Sequence, residues 1–325
     1  MKATAIAPSN IAFIKYWGKK DEVLRLPENG SISMNLSNLL TTTTVEFSKD
    51  FKQDTLIYNG VSEEIKGNRA VAHIDRIRKL ANIETPVKVI TINNFPSGTG
   101  LSSSASGFAA LTLAGVAAAD LKLSEKELSI LARQGSGSAC RSIPDGFVEW
   151  KDGNTSETSY SYSLYPKDYW DIVDVVAIVS TKVKEVSTSV GQQGAQKSQF
   201  FSVRKANMPQ KIKECKEFIK KKDFEKFGDL LESEALELHS IMLTSHPSLI
   251  YLLPETLNIM RLVKQWRNDG LQVYFTLNTG QNIHLIVQKK DAGLLTAKLK
   301  KLPIVIKIIP NNPSSGARIS SKHLF

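Results

Sequence analysis

Between Phe95 and Ala105 the chain reads Phe-Pro-Ser-Gly-Thr-Gly-Leu-Ser-Ser-Ser-Ala, and an alanine-rich, strongly helical run from Gly107 to Ala119 follows at once. Gly98 and Gly100 permit backbone angles and close approaches that a Cβ forbids, and the first turn of a helix leaves amides free to face an anion. Ser102, Ser103 and Ser104 add hydroxyls for phosphate oxygens or a metal ion. Such a composition cradles phosphate, although a Gly/Ser-rich cap ahead of an alanine helix also serves as a plain turn. No Gly-Lys-Ser/Thr follows the glycines, and the Rossmann spacing with its downstream acid is missing, so neither of the commonest nucleotide loops is present.

Other chemistries find little support. His239, His246 and His284 sit among apolar neighbours with no carboxylate or Cys at ligand spacing, which reads as core or surface histidine. No zinc-like or Ser-His-Asp order emerges. Cys140 and Cys215, far apart and without metal-ligand partners, read as reduced and structural. The formal charge of +10 favours anionic partners, whether nucleic acid, acidic lipid or phosphorylated small molecules, without choosing among them. Much of the excess falls in Lys205–Lys226 and Lys289–Lys301, alternating with apolar residues at helical spacing, as on a solvated helix face.

The series Pro96, Gly98, Gly100, Leu101, Ser103, Ser104, Ala105 resembles the ATP loop of the GHMP kinases, the superfamily of galactokinase, homoserine kinase and mevalonate kinase. Two further segments narrow the resemblance to the mevalonate-pathway decarboxylases: Ala7-Pro8-Ser9-Asn10-Ile11-Ala12-Phe13-Ile14-Lys15-Tyr16-Trp17-Gly18-Lys19 and Arg133-Gln134-Gly135-Ser136-Gly137-Ser138-Ala139-Cys140-Arg141-Ser142. It extends through Gly146–Trp150 to Asn278–Asn282 and is least distinctive around 200 to 240.

That resemblance implies ATP-dependent phosphorylation of the 3-hydroxyl of 5-diphosphomevalonate, then loss of phosphate and CO2 to give isopentenyl diphosphate. ATP and Mg2+ would be held by Pro96, Gly98, Gly100, Leu101, Ser102, Ser103, Ser104 and Thr188, with Ser104 as the metal contact. Loss of CO2 passes through positive charge at the tertiary carbon, and the bidentate guanidinium of Arg141 suits pinning the carboxylate, with Ser136 and Ser138 beside it. The ammonium of Lys15 would lie over the reacting hydroxyl or phosphate as a compact point charge, while Tyr16, Lys19, Arg69 and Ser189 take the distal phosphate or its neighbours.

One departure stands out. Where the diphosphomevalonate enzymes carry a sequence like Asp-Ala-Gly-Pro-Asn, this chain has Asn278-Thr279-Gly280-Gln281-Asn282, so Asn278 replaces a carboxylate thought to orient or deprotonate the hydroxyl. An amide can hold a hydroxyl but cannot accept its proton at a useful pKa. Open alternatives are a phosphomevalonate decarboxylase making isopentenyl phosphate, an ATP-independent mevalonate 3,5-bisphosphate decarboxylase, a 3-kinase that stops after phosphorylation, or a non-catalytic nucleotide-binding protein. A nucleic-acid-binding module is the rival outside that group, but interleaved aromatics and a basic stripe are lacking.

The elements needed to position these residues follow from periodicity. Lys2–Tyr58 reads as short β-branched runs of a mixed sheet, including Thr42–Phe47 and Asp54–Tyr58. Asn68–Ala81 is helical, Val87–Ile92 is a strand feeding the loop, and Ser106–Ala119 and Ser124–Arg133 are helices. A second block opens with the strand Asp174–Ser180, continues through helices near Met208–Lys222, Phe224–His239 and Pro254–Asp269, and ends on strands Val273–Thr276, Ile283–Val287 and Ile304–Ile309. The expected fold is α+β, a two-domain GHMP kinase fold with a ribosomal-protein-S5-like half at 1–180 carrying the phosphate loop and a ferredoxin-like half at 181–325. With 42% hydrophobic residues, no bilayer-length apolar run and no signal-peptide core, a cytoplasmic protein is expected, without membrane or nucleic-acid partners. A homodimer is implied by the resemblance.

Overall fold

A computed structural model describes all residues, Met1–Phe325. β1 (Lys2–Ile14) leads through a small hairpin of β2 (Lys19–Asp21) and β3 (Leu26–Pro27) into β4 (Ser31–Phe47). β1 and β4 span 13 and 17 residues, longer than the short runs expected. Their antiparallel register shifts between Pro8 and Asn10 and between Ala12 and Ile14, so residues that read as strand breaks are absorbed by bulges that bend the pair.

The first half continues with β5 (Thr55–Tyr58), β6 (Val61–Ser62), α1 (Arg69–Ala81), β7 (Val87–Asn93), α2 (Ser103–Ala118), α3 (Glu125–Gly135), a 3-10 turn at Gly137–Ser142, β8 (Phe147–Trp150) and β9 (Ser161–Tyr165). Caps set the helix starts: the Asn68 side chain accepts from the Ala70 amide, and Ser124 with Glu127 forms a capping box on α3. α2 shows no polar face, and Ala109, Ala110 and Ala114 are wholly buried, which suits a helix enclosed between a sheet and its neighbours.

β10 (Ile172–Ile178), α4 (Thr188–Gln193), α5 (Phe201–Lys221), α6 (Phe224–Leu243), α7 (Pro254–Asn268), β11 (Val273–Thr276), β12 (Ile283–Gln288), α8 (Ala292–Lys300) and β13 (Lys307–Asn311) follow, and β14 (Arg318–Ser320) ends the set. The large sheet runs β14-β1-β4-β7-β5-β6, with β8 and β9 joined at β4, and the second runs β11-β12-β10-β13. The chain enters the second sheet at Ile172 with β10 and returns to the first when β14 pairs with β1. α5 begins at Phe201, earlier than expected, because it carries Pro209 inside and has no side-chain cap to announce its start. Helices and sheets are segregated as in an α+β fold, and no helix is long and apolar enough to cross a membrane.

One core cluster crosses between the halves. Phe13 and Phe147 of the large sheet pack with Phe227 of α6 and with Tyr274 and Ile286 of the second sheet, the Phe13 and Phe227 rings meeting edge-on at 4.8 Å. Beside it a buried ionic cluster fastens α5 and α6 to the end of β1. Arg204 bonds Glu234 at 2.6 Å and Glu237 at 2.9 Å, and Lys211 reaches Glu234 at 3.0 Å. The Lys15 amide donates to Glu234 at 2.9 Å, and Arg204 and Asn29 donate to the Lys15 carbonyl at 3.1 and 2.9 Å. Several α5 lysines expected on a solvated face are thus struts, including Lys205 on Glu28 at 2.6 Å and Lys216 on Glu149 at 3.1 Å.

Burial opposes ionisation of Glu234, but Arg204, Lys211 and the Lys15 amide outweigh it and hold the carboxyl below the usual range. Its contribution is therefore present at neutral pH and is lost as pH falls through that depressed value. Glu234→Ala, which leaves Arg204 buried without its main partner, is expected to lower unfolding free energy by about 3–5 kcal/mol in denaturant titrations at neutral pH, with a smaller loss in acid.

Candidate active site

The phosphate loop owes its shape to contacts from both halves. Gly98 and Gly100 take φ of 72° and 91°, and Ser102 takes 58° at the cap of α2. Ser9 donates to the Leu101 carbonyl at 2.6 Å and Asn282 to the Thr99 carbonyl at 3.1 Å. A Cβ built on Gly280 would lie 2.3 Å from the Gly100 Cα, so two backbones touch here and neither position admits a side chain. The amides of Gly100, Leu101 and Ser102 make no hydrogen bond within the protein, and Gly100 and Ser102 line the cleft.

That loop forms one wall of a cleft of about 230 Å³ whose opposite wall carries Arg141. Arg141 lies in the 3-10 turn, donates to Ser31 Oγ at 2.7 Å and to Asn10 Oδ1 at 3.1 Å, and stacks over Trp150 at 5.9 Å. Its Nε is buried without a partner, an unused donor on a fixed guanidinium. Ser136 donates to Ser104 Oγ at 3.4 Å, bridging the two motifs directly.

Lys15, Tyr16, Arg69, Gly98, Gly100, Ser102, Ser103, Ser104, Ser136, Ser138, Arg141, Thr188, Ser189 and Asn278 all line the cleft. Pro96 and Leu101 do not; Leu101 is buried and Pro96 accepts from Thr99, so both shape the loop from behind. Lys19 also stays outside, its ammonium paired with Glu22. Arg25 comes to the cleft instead, from the turn between β2 and β3 with φ of 51°, its Nε donating to the Gln134 carbonyl at 3.0 Å. Only that left-handed turn aims it inward, a feature no local motif announces. Lys184, Gln192 and Thr279 are further residues that motif reading missed: Tyr16 donates to Gln192 at 2.8 Å, and Lys184 donates to Thr188 Oγ1 and the Thr279 carbonyl at 2.6 Å each.

Lys15, Arg25, Arg69, Arg141 and Lys184 face this space, and none of its 22 lining residues is Asp or Glu. Burial, then Arg25 and Arg76 nearby, lower Arg69 to about 10. Burial lowers Lys184 to about 8 and contributes most to bringing Lys15 to about 7. Crowded cations without a counter-charge make a receptor for multiply charged anions. Arg69 is steadied by the Gly135 carbonyl at 2.9 Å and by the Phe108 ring at 5.1 Å. Arg69, Ser103 and Ser104 also border a second, more apolar chamber of about 350 Å³ between Leu56, Val89, Phe108 and Leu111.

Asn278 sits where the halves meet. Its Nδ2 donates to Ser102 Oγ at 2.8 Å and to the Asn10 carbonyl at 3.3 Å, and its own carbonyl accepts from His239 at 3.2 Å. His239 and His284 are buried, the latter bonded to Asp174 at 2.8 Å, while His246 is exposed. No group of three or more His, Cys, Asp or Glu residues is placed to hold a metal ion. The donor set fits a divalent cation that arrives on phosphates and takes a hydroxyl such as that of Ser104.

A family model for the diphosphomevalonate decarboxylase-like N-terminal domain matches residues 7–161, and one for the mevalonate 5-diphosphate decarboxylase C-terminal domain matches 174–315. The chain belongs to the diphosphomevalonate decarboxylase family. It is 37% identical to the diphosphomevalonate decarboxylase of Candida albicans, over 92% of this chain and 88% of that one. The rat enzyme of the same name is 35% identical over 87% and 75%. Among solved structures, mevalonate diphosphate decarboxylase from Staphylococcus aureus matches with TM-score 0.92 at 36% identity over 98% of each chain. A complex of MDDEF with MVAPP, AMPPCP and magnesium also reaches TM-score 0.92, at 35% identity over 98% of this chain and 99% of that one. These likenesses bear out the GHMP kinase two-domain fold.

The Gly100–Gly280 contact holds the loop against the second half, and the neighbours of any added Cβ are backbone atoms that cannot rotate away. Gly280→Ala is expected to lower unfolding free energy by about 1–3 kcal/mol and to weaken nucleotide binding measured by calorimetry; unaltered binding would show the contact to be dispensable.

Proposed function

We propose that this protein decarboxylates 5-diphosphomevalonate in an ATP- and Mg2+-dependent reaction that gives isopentenyl diphosphate. The observation that carries the reading is the single carboxylate-free cleft on which the glycine loop and Arg141 both open. Relatives bear the name diphosphomevalonate decarboxylase, and a solved neighbour holds MVAPP, AMPPCP and magnesium. The loop amides and serine hydroxyls take the triphosphate, and the adjoining apolar chamber suits a nucleoside. Ser104 would help hold Mg2+, which would supply charge neutralisation during transfer.

On the substrate side Arg141 takes the carboxylate, with Ser138 beside it, and keeps its own charge while CO2 leaves. Tyr16, Arg69 and Ser189 take the distal phosphate, and Arg25 fills the place expected of Lys19. Two guanidiniums at that end favour two phosphates over one. Cytoplasmic location and a homodimer belong to this proposal as well; sedimentation velocity checks the latter.

The reading is tested by offering 5-diphosphomevalonate and 5-phosphomevalonate in parallel with ATP and following ADP and CO2 separately. Equal yields of ADP and CO2 with the diphosphate are expected, and CO2 without ADP, or ADP without CO2, would overturn it. Arg141→Lys is expected to reduce kcat about 100-fold or more while KM for ATP stays within a small factor. Arg25→Ala should raise KM for the diphosphate more than for the monophosphate; equal changes for both would remove Arg25 from phosphate recognition.

A further inference from the structure

Phosphoryl transfer to a hydroxyl releases one proton, and the cleft of this chain offers no carboxylate to receive it. Asn278 cannot: both hydrogens of Nδ2 go to protein acceptors, and Oδ1 only accepts hydrogen bonds. His239 uses Nε2–H on the Asn278 carbonyl and does not line the cleft. Lys184 donates to Thr188 Oγ1, the Thr279 carbonyl and Thr279 Oγ1, a set of acceptors that suits an ammonium.

Lys15 is different. Its Nζ has two protein acceptors, the Ala12 carbonyl at 2.5 Å and Thr276 Oγ1 at 2.7 Å, and no carboxylate touches it. A tetrahedral nitrogen with two hydrogens so engaged retains one further position. Lys15 is only 2% exposed but is a wall residue of the cleft, so the substrate space is where a partner for that position would come from. In the neutral amine it holds the lone pair. The Lys15 backbone is fixed from behind, its amide donating to Glu234 and its carbonyl accepting from the Arg204 and Asn29 side chains.

We propose that the neutral amine of Lys15 accepts the proton of the 3-hydroxyl during phosphoryl transfer, in the role that a carboxylate at position 278 would otherwise fill. The inference rests on the ATP-dependent reading above. The hydroxyl O–H bond breaks and its proton passes to the Nζ lone pair. The oxygen's electron pair forms the bond to the γ-phosphorus, and the bond from that phosphorus to the bridging oxygen breaks, its electrons leaving with ADP. Lys15 is left as an ammonium beside the new phosphate, where its charge favours departure of that phosphate, and the proton returns to the released phosphate.

The surroundings permit this. Burial disfavours the ammonium, Arg141 from the 3-10 turn and Arg204 from α5 add to that, and Glu234 from α6 and Asp174 from β10 oppose it, leaving Lys15 at about 7. His239 on α6 also lies within reach of its field, but burial keeps that imidazole neutral, at about 4.

The test measures ADP and CO2 from 5-diphosphomevalonate across the neutral pH range for wild type, Lys15→Ala and Asn278→Asp. Wild-type kcat is expected to rise along an acid limb centred near about 7. Lys15→Ala should lose about 100-fold or more in kcat, retain ATP-induced thermal protection, and recover with small primary amines in proportion to their free-base concentration. Asn278→Asp should move the acid limb down toward the carboxylate range. Recovery that follows the ammonium form, no recovery at all, or an acid limb indifferent to Asn278→Asp would overturn the assignment. Failure of wild type to release CO2 with ATP would instead remove the reading of the reaction itself.

Discussion

Five cations face one cleft without a carboxylate among its lining residues, and most of the site's chemistry descends from that imbalance. Each is restrained by neutral acceptors: Lys15 by the Ala12 carbonyl and Thr276, Arg25 by the Gln134 carbonyl, Arg69 by the Gly135 carbonyl, Arg141 by Ser31 and Asn10, Lys184 by Thr188 and Thr279. Hydrogen bonds of this kind fix direction without cancelling charge. The acids sit one layer back, where Glu234 neutralises Arg204 and Lys211. Arranged so, the front layer keeps its potential for anionic ligands while the back layer holds the framework.

The framework has to keep two halves in register, because the phosphate loop belongs to one and Asn278 to the other. A shared aromatic core and the backbone contact between Gly100 and Gly280 do so over a short distance. Asn282 adds a further link, its amide donating to the carbonyls of Thr99 and Ser180 while its Oδ1 accepts from the Val179 amide. The chain also ends where it began, β14 lying beside β1. Such a junction holds the distance between the loop and Asn278 to the tolerance that a reaction between two bound anions requires.

What the sequence made legible was contiguous. The strand, glycine loop and helix were readable because turn chemistry and periodicity change within a dozen residues, and Arg141 because its small-residue neighbours form a compact motif. Features assembled from distant parts were not readable. Arg25 reaches the cleft through a left-handed turn, while Lys19, nearer the motif, is drawn to Glu22. The apolar chamber is built from Leu56, Val89, Phe108 and Leu111, which no spacing connects. The long bent strands and the early start of α5 were hidden for a related reason, since bulges and an internal Pro209 contradict local propensity and tertiary packing overrides it.

Asn278 is best understood through the direction of its hydrogen bonds. Its Nδ2 donates both to Ser102 Oγ and to the Asn10 carbonyl. A carboxylate there would face the Asn10 carbonyl with two acceptors opposed, and it would draw the Ser102 hydrogen toward itself. With the amide, Ser102 accepts, and its own hydrogen is released to point at a phosphate oxygen in the cleft. The surroundings of position 278 thus fit an amide rather than a damaged carboxylate site. The exchange trades a proton acceptor for one more phosphate donor in the loop, and it leaves deprotonation to a nitrogen that burial, against the pull of Glu234, has already made easy to discharge.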